Sequence, residues 1–205
     1  MKPIVLSSAR LELRAPGVAD IDTITQCCQD ADVQRWTTVP SPYSREDAEQ
    51  FVRGVVEPGW RMGTGAIWGI RTDARQALVG MIGLHGIAHG GGELGFWLRP
   101  SARGKGIMGE AVQLVCDFGF APAANDGDSG AETAGLGLRR IQWHAIAGNA
   151  ASATVARRAG FQFEGVKRLG GVQRGTRVDA WSAGLLSTDD RTRATGWPPD
   201  TLVTS

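Results

Sequence analysis

The stretch that most constrains this chain is residues 93 to 120, ELGFWLRPSARGKGIMGEAVQLVCDFGF. Leu94 to Leu98 read as an apolar strand, and Pro100, which has no N–H to give a sheet, stops it near Arg99. After a glycine-rich turn, Ile107, Ala111, Leu114, Val115 and Phe118 recur at the spacing of one helical face. A helix is therefore expected from about Ile107 to Phe118, packed on the strand it has just left.

The turn itself, Arg103-Gly104-Lys105-Gly106-Ile107-Met108-Gly109, brings backbone N–H groups to a helix start with few side chains in the way. A helix begins with unpaired donors and a partial positive charge, so an anion of phosphate size fits there, and Arg103 and Lys105 add charge. The plainer reading is a tight turn and nothing more. Gly104, Gly106 and Gly109 also spell G-x-G-x-x-G, the dinucleotide fingerprint, which requires a second strand ending in an acidic residue about 20 positions on. After Phe118 the chain instead runs into APAANDGDSGAETAG, with no strand pattern, and no Gly-Lys-Ser or Gly-Lys-Thr occurs to make a Walker loop.

With 205 residues, one well-buried domain is expected over 1–186, followed by a polar tail over 187–205 that lies on the surface. Twenty-two basic and 21 acidic residues leave a net charge of +1, which gives no footprint for nucleic acid or an anionic membrane. No apolar run approaches a membrane span and no leader pattern opens the chain, so a cytoplasmic location is expected. Three cysteines with Cys27 and Cys28 adjacent make no disulfide framework and no metal pair; buried thiols are the expectation, and no metal is called for.

In chain order, Leu11 and Leu13 alternate with polar neighbours as a first strand, and Asp20 to Cys28 reads as a first helix. The segment DVQRWTTVPSPYS, broken by Pro40 and Pro42, reads as a lid loop. Ser44 and Asp47 form a capping box for a second helix with Ala48, Phe51, Val52 and Val55 as its apolar stripe. Trp36 and Tyr43 on the lid either line an acceptor site or close the top of the core. Ala66 to Arg71 and Leu78 to Leu84 form a hairpin that joins the strand at Leu94 in an antiparallel meander. His85, flanked by glycines, faces either a ligand or solvent. Residues 121–136 read as a mobile loop; Ile141 to Ile146 is the next strand, where His144 reads as an ordinary strand histidine. Asn149 caps a helix that ends at Gly160, and two further strands complete the pattern, Phe161 to Val166 and Thr176 to Leu185.

Two of these stretches resemble the GCN5-related N-acetyltransferases. Their pyrophosphate motif is Gln or Arg, two residues, Gly, one residue, then Gly or Ala; Arg103 and Gly106 match, while Met108 stands at the Gly or Ala position. GFWLRPSARGKGIMGEA is most similar to the RimJ/RimL branch, which acetylates protein N-termini and related amines. Asn149, Ser152, Gly160 and Phe161 match the branch's second motif at the expected separation.

The resemblance implies an α/β (α+β) fold: a mixed, mostly antiparallel sheet of about seven strands with about four helices, splayed between the strands that begin at Leu94 and Ile141, the fourth and fifth of that count. It implies acetyl-CoA as co-substrate, held by Trp97, Leu98, Arg99, Arg103, Gly104, Lys105, Gly106, Ile107, Met108, Gly109, Asn149 and Ser152. A homodimer is the family's implied state. The acceptor is a primary amine, a protein N-terminus or a small molecule, with Trp36, Tyr43 and His85 as its contacts; an open lid favours the former and a closed pocket the latter.

Acetylation needs a neutral amine, and free α-amino groups and lysines titrate near 8 and 10.4, so a base helps. Glu93 is the candidate, acting through water, against the alternative of a surface carboxylate. A backbone N–H near Trp97 or Leu98 is placed to hold the oxyanion. Many family members supply a tyrosine to protonate the leaving thiolate, but the matching residue here is Ala156, and Ser152 fits the branch's alternative donor. A non-catalytic acyl-CoA sensor and, more remotely, a dinucleotide enzyme are the rival readings.

Overall fold

A computed structural model of the chain describes residues 1–72, 78–123 and 134–201. One sheet holds β1 (Leu6–Ser7), β2 (Glu12–Arg14), β3 (Ala66–Arg71), β4 (Gly80–Ala88), β5 (Gly91–Leu98), β6 (Arg140–Ile146), β7 (Gln162–Gln173) and β8 (Thr176–Leu186). Their spatial order is β1-β2-β3-β4-β5-β6-β8-β7, and every neighbouring pair is antiparallel except β5 and β6. The strand beyond the expected seven is β1, two residues too short to leave a period in the sequence.

The helices are α1 (Ile21–Cys28), α2 (Ala31–Trp36), α3 (Arg45–Gln50), α4 (Glu57–Met62), α5 (Ile107–Phe120) and α6 (Ala150–Arg158), with a π-helical segment Phe51–Val56 between α3 and α4. Helix α2 replaces the first part of the expected lid loop. Asp30 accepts a hydrogen bond from the Val33 N–H at 3.1 Å and starts it, and it ends at Trp36, before the prolines act. The capping box at Ser44 and Asp47 forms as the spacing predicts. Downstream of it the buried apolar side chains are Ala48, Val52, Val56 and Trp60, with Val55 exposed. A strict four-residue spacing drifts around an α-helix of 3.6 residues per turn; the wider π turn takes up the drift and keeps one face inward.

Helix α5 has the expected pattern, with Ile107, Ala111, Val115 and Phe118 buried and Leu114 at the margin. A side chain at Gly119 would meet Ile141 at 3.0 Å and Leu84 at 3.4 Å, which brings α5 close against β4 and β6. On the same face Trp68 packs edge-on against Phe118 and Trp60, at centroid distances of 5.7 and 5.0 Å. Each such buried side chain contributes roughly 1.5–3 kcal/mol relative to exposure.

The tail departs from expectation. Ala194 and Trp197 are buried, and the Trp197 indole N–H donates to the Phe161 carbonyl at 2.9 Å. Its ring lies 5.6 Å from Trp143 and 5.3 Å from Phe163. Two apolar residues in a polar stretch make no period, so only tertiary packing reveals them. Cys27, Cys28 and Cys116 are buried and unbridged. Among the described residues no helix is long and apolar enough to cross a membrane. The turn after Arg71 and most of the expected mobile loop lie outside the described residues.

Candidate active site

Strands β5 and β6 pair from Gly91 with Arg140 to Leu94 with Trp143, and there the pairing stops, although β5 runs on to Leu98 and β6 to Ile146. The two strands part into a cleft. The Arg99 N–H donates to the Val79 carbonyl at 3.0 Å, and this sets the alternation along β5: odd-numbered amides turn to β4, and those of Phe96 and Leu98 face the gap. Of the two expected oxyanion donors, Leu98 therefore has its N–H in the cleft, while that of Trp97 is taken up by the β4 ladder. A cavity of about 510 Å3 fills the gap, lined by both strands, by Asn149 and Ser152, and by Trp36 to Val39.

At the end of β5 the chain enters the glycine turn. Gly104 and Gly106 both have φ +73, a left-handed conformation that glycine adopts without strain. Among the described residues, none of the amides from Gly104 to Gly109 donates to a protein acceptor, and side chains at Gly104 or Gly109 would meet nothing within 4 Å. Six consecutive unpaired N–H groups beside open space, at the start of a 14-residue helix, make an anion cradle. Arg10 braces it, donating to the Lys105 carbonyl at 3.1 Å while pairing with Glu110.

Arg103 does not join that cradle. Its guanidinium pairs with Asp30 at 2.6 Å and Asp32 at 2.8 Å and donates to the Leu98 carbonyl at 3.1 Å, while its own amide bonds Pro100. Two carboxylates match its charge, so it ties the end of β5 to the start of α2. Arg99 likewise points its Nε into the protein, where it has no partner among the described residues. Lys105 remains exposed at the turn, and Ile107 and Met108 turn their side chains into the core.

On the helix side of the cleft, Asn149 caps α6 by accepting from the Ser152 N–H at 3.1 Å. The Trp143 indole N–H donates to Ser152 Oγ at 3.1 Å. An indole only donates, so the serine oxygen is the acceptor and its own proton is available; among the described residues it is given to nothing. Trp197, tilted at 53° against Trp143, packs on this pair.

The opposite face of the sheet carries charge. Glu93 on β5 meets His144 Nδ1 at 3.1 Å, and Lys167 from β7 sets its Nζ on His144 Nε2. His85, paired with Glu93 across β4 and β5, lies over Gly83 and Gly95; a side chain at either glycine would meet its ring at 3.3 or 3.4 Å. The hydrogen bond from His144, with the charges of His85 and Lys167, holds the Glu93 carboxyl below the usual carboxylate range against the opposing effect of burial. Although part of its surface is open, desolvation pushes the His85 imidazole below its usual range, and Glu93 opposes this. Nothing in the local sequence marks His144 or Lys167 for a role. Only the sheet order brings them beside Glu93.

Trp36, at the end of α2, reaches across the cleft, where a side chain at Gly148 would meet its ring at 3.5 Å. The tip of the β7–β8 hairpin closes over α2: Gln173 donates to the Arg35 carbonyl and Arg174 to that of Gln34. Tyr43 is not part of this wall. It is buried beside Cys28; desolvation, helped by that neighbour, raises the phenol's pKa, and it belongs to the core.

The sequence pattern of the acetyltransferase (GNAT) domain matches residues 10–162, three-quarters of the chain, across both sides of the cleft. The chain belongs to the GNAT acetyltransferase family. The uncharacterized N-acetyltransferase YoaA of Bacillus subtilis is 29% identical over 177 residues, covering 85% of this chain and 92% of that one. Among solved structures, RimJ of Mycobacterium smegmatis in complex with CoA-disulfide superposes with a TM-score of 0.76 at 18% identity, covering 91% of this chain and 90% of RimJ. RimL, a ribosomal L7/L12 alpha-N-protein acetyltransferase in complex with coenzyme A, gives 0.74 at 23%, covering 89% and 98%. At these identities the superpositions establish the GNAT fold; the parted strands that the RimJ/RimL resemblance implies are seen in the β5–β6 register itself.

Proposed function

We propose that this chain transfers an acetyl group from acetyl-CoA directly to a primary amine that enters the cleft between β5 and β6. The observation that carries the reading is a pair of neighbouring groups of unpaired backbone donors, Phe96 and Leu98 in the gap and Gly104 through Gly109 at the head of α5. A diphosphate matches the cradle, and a slender pantetheine arm can satisfy the β5 amides that β6 abandons. The co-substrate supplies the activated acetyl group; the protein's own groups bind, orient and move protons.

Leu98 N–H is positioned to hold the thioester oxygen as it gains charge. Ser152 Oγ, with its proton uncommitted, is the donor to the departing sulfur. The amine's proton leaves toward the opposite face, where Glu93 sits among imidazoles. The hairpin roof on α2 favours an acceptor that enters end-on, a small amine or the flexible N-terminus of a protein; RimL, an alpha-N-protein acetyltransferase, takes an acceptor of the latter kind.

Incubation of the purified chain with acetyl-CoA and a panel of polyamines, amino acids, amino-sugar antibiotics and short peptides with unblocked N-termini is the test. The expected outcome is amine-dependent release of free thiol, with acetylated product seen by mass spectrometry. Tight coenzyme A binding without transfer to any amine would favour a sensor, and NAD(H) binding without coenzyme A would favour a dinucleotide enzyme.

A further inference from the structure

We infer that His144, oriented by Glu93, is the group that takes the proton from the acceptor amine, and that it does so at Nε2. This role rests on the acetyl-transfer reading above and assigns the proton acceptor within it.

The geometry fixes both nitrogens of the ring. Glu93 approaches Nδ1 at 3.1 Å, and a carboxylate accepts, so Nδ1 carries the hydrogen. Lys167 sets its Nζ against Nε2, and an ammonium only donates, so Nε2 presents its lone pair. The carboxylate, the Nδ1–H and a basic Nε2 directed into the cavity form an oriented base of the kind that hydrolases assemble by other folds.

Lys167 also shows what Nε2 accepts. It is the primary ammonium of an exposed side chain, and it lines the same cavity as Trp36, Trp97 and Ser152. The pairing of β7 with β8 shifts register between Lys167 and Gly171, and a side chain at Gly170 would lie 2.4 Å from the Lys167 Cβ. A cleft that seats one alkylammonium on this nitrogen seats another in its place once the flexible lysine swings out.

The neighbouring groups are less suited. Glu93 is held ionised by its partners, which makes it a weak base and leaves it as the positioning residue. His85 has no hydrogen-bonded partner to orient it among the described residues. The remaining groups around His144 are Ser182, opposite it on β8, and Glu164 on β7, which Arg140 holds at 2.7 and 2.8 Å.

In the step, the acceptor ammonium gives one proton to Nε2, and its nitrogen pair forms a C–N bond to the thioester carbonyl carbon. The C–S bond breaks with its pair going to sulfur, and a second amine proton passes to that sulfur by way of Ser152. The products are an amide, a free thiol and a protonated His144, which returns its proton to solvent.

His144→Gln should lower kcat/KM by at least about a hundredfold, the range of a lost general base, with coenzyme A affinity by calorimetry kept within about twofold. Imidazole added to His144→Gly should restore at least about tenfold of the loss. Nitrogen-15 NMR of the wild-type chain should show His144 as the Nδ1–H tautomer, and Glu93→Gln should mix the tautomers, a readout that needs neither coenzyme nor turnover. A wild type that shows the Nε2–H tautomer, or a His144→Gln variant that turns over at the wild-type rate, overturns the assignment while leaving the acetyltransferase reading intact. A wild type that acetylates no amine overturns both.

Discussion

The proposed coenzyme side of the cleft is backbone, the free amides of Phe96, Leu98 and Gly104 to Gly109, whereas the proposed acceptor side is side chains drawn from four strands: His85, Glu93, His144 and Lys167. Amides pointing into a gap depend on where a ladder ends and a helix begins, and proline, glycine and apolar spacing write such boundaries locally. An imidazole held between a carboxylate and an ammonium depends on strand order and register. Those are settled only when residues up to 74 positions apart, Glu93 to Lys167, are paired through the sheet.

The difference can be tested at three places. Gly106→Asp puts a carboxylate into the cradle, and aspartate enters the left-handed region more readily than most residues, so the charge is the main change. Coenzyme A affinity should fall by at least about a hundredfold, about 3 kcal/mol, with acceptor-side NMR signals unmoved. A near-native dissociation constant would mean that the backbone donors do not hold the diphosphate. Ser152→Ala should lower kcat at saturating acceptor by about tenfold, about 1.4 kcal/mol, with coenzyme A affinity maintained, because a thiolate can depart unaided but more slowly. Full turnover in that variant would hand the proton transfer to water.

Arg103→Ala has the smallest expected effect on binding. Since Asp30 and Asp32 already match its charge in half-exposed pairs, stability should drop by about 1 kcal/mol in denaturant titrations, and coenzyme A affinity should change less than about threefold. A tenfold loss of affinity would return Arg103 to the diphosphate and blur the division between a backbone arm and a side-chain arm.

The same division explains what could be read from the sequence. The α5 face, the Ser44–Asp47 box and the Asn149 cap are contacts within a turn or two of helix, so residue spacing alone indicated them. Arg103 looked like a phosphate cation because its carboxylate partners lie more than 70 positions earlier, in a helix obscured by the prolines after it. Tyr43 looked like a lid aromatic for the same reason, its neighbour Cys28 lying on α1, outside that loop. Trp197 stands alone in a polar stretch, and nothing local relates it to Trp143 and, through that indole, to Ser152.

One consequence of the parted strands concerns leverage. Strand β6 stays with β8 along its whole length, from Arg140 to Ile146, but with β5 only as far as Trp143. The sheet is therefore two leaves on a short spine, and any widening of the mouth to admit or discharge cargo must pivot on the rungs between Gly91 and Leu94. Glu93 sits on that spine and His144 one step beyond it, so the angle between the leaves also sets how far apart those two side chains stand.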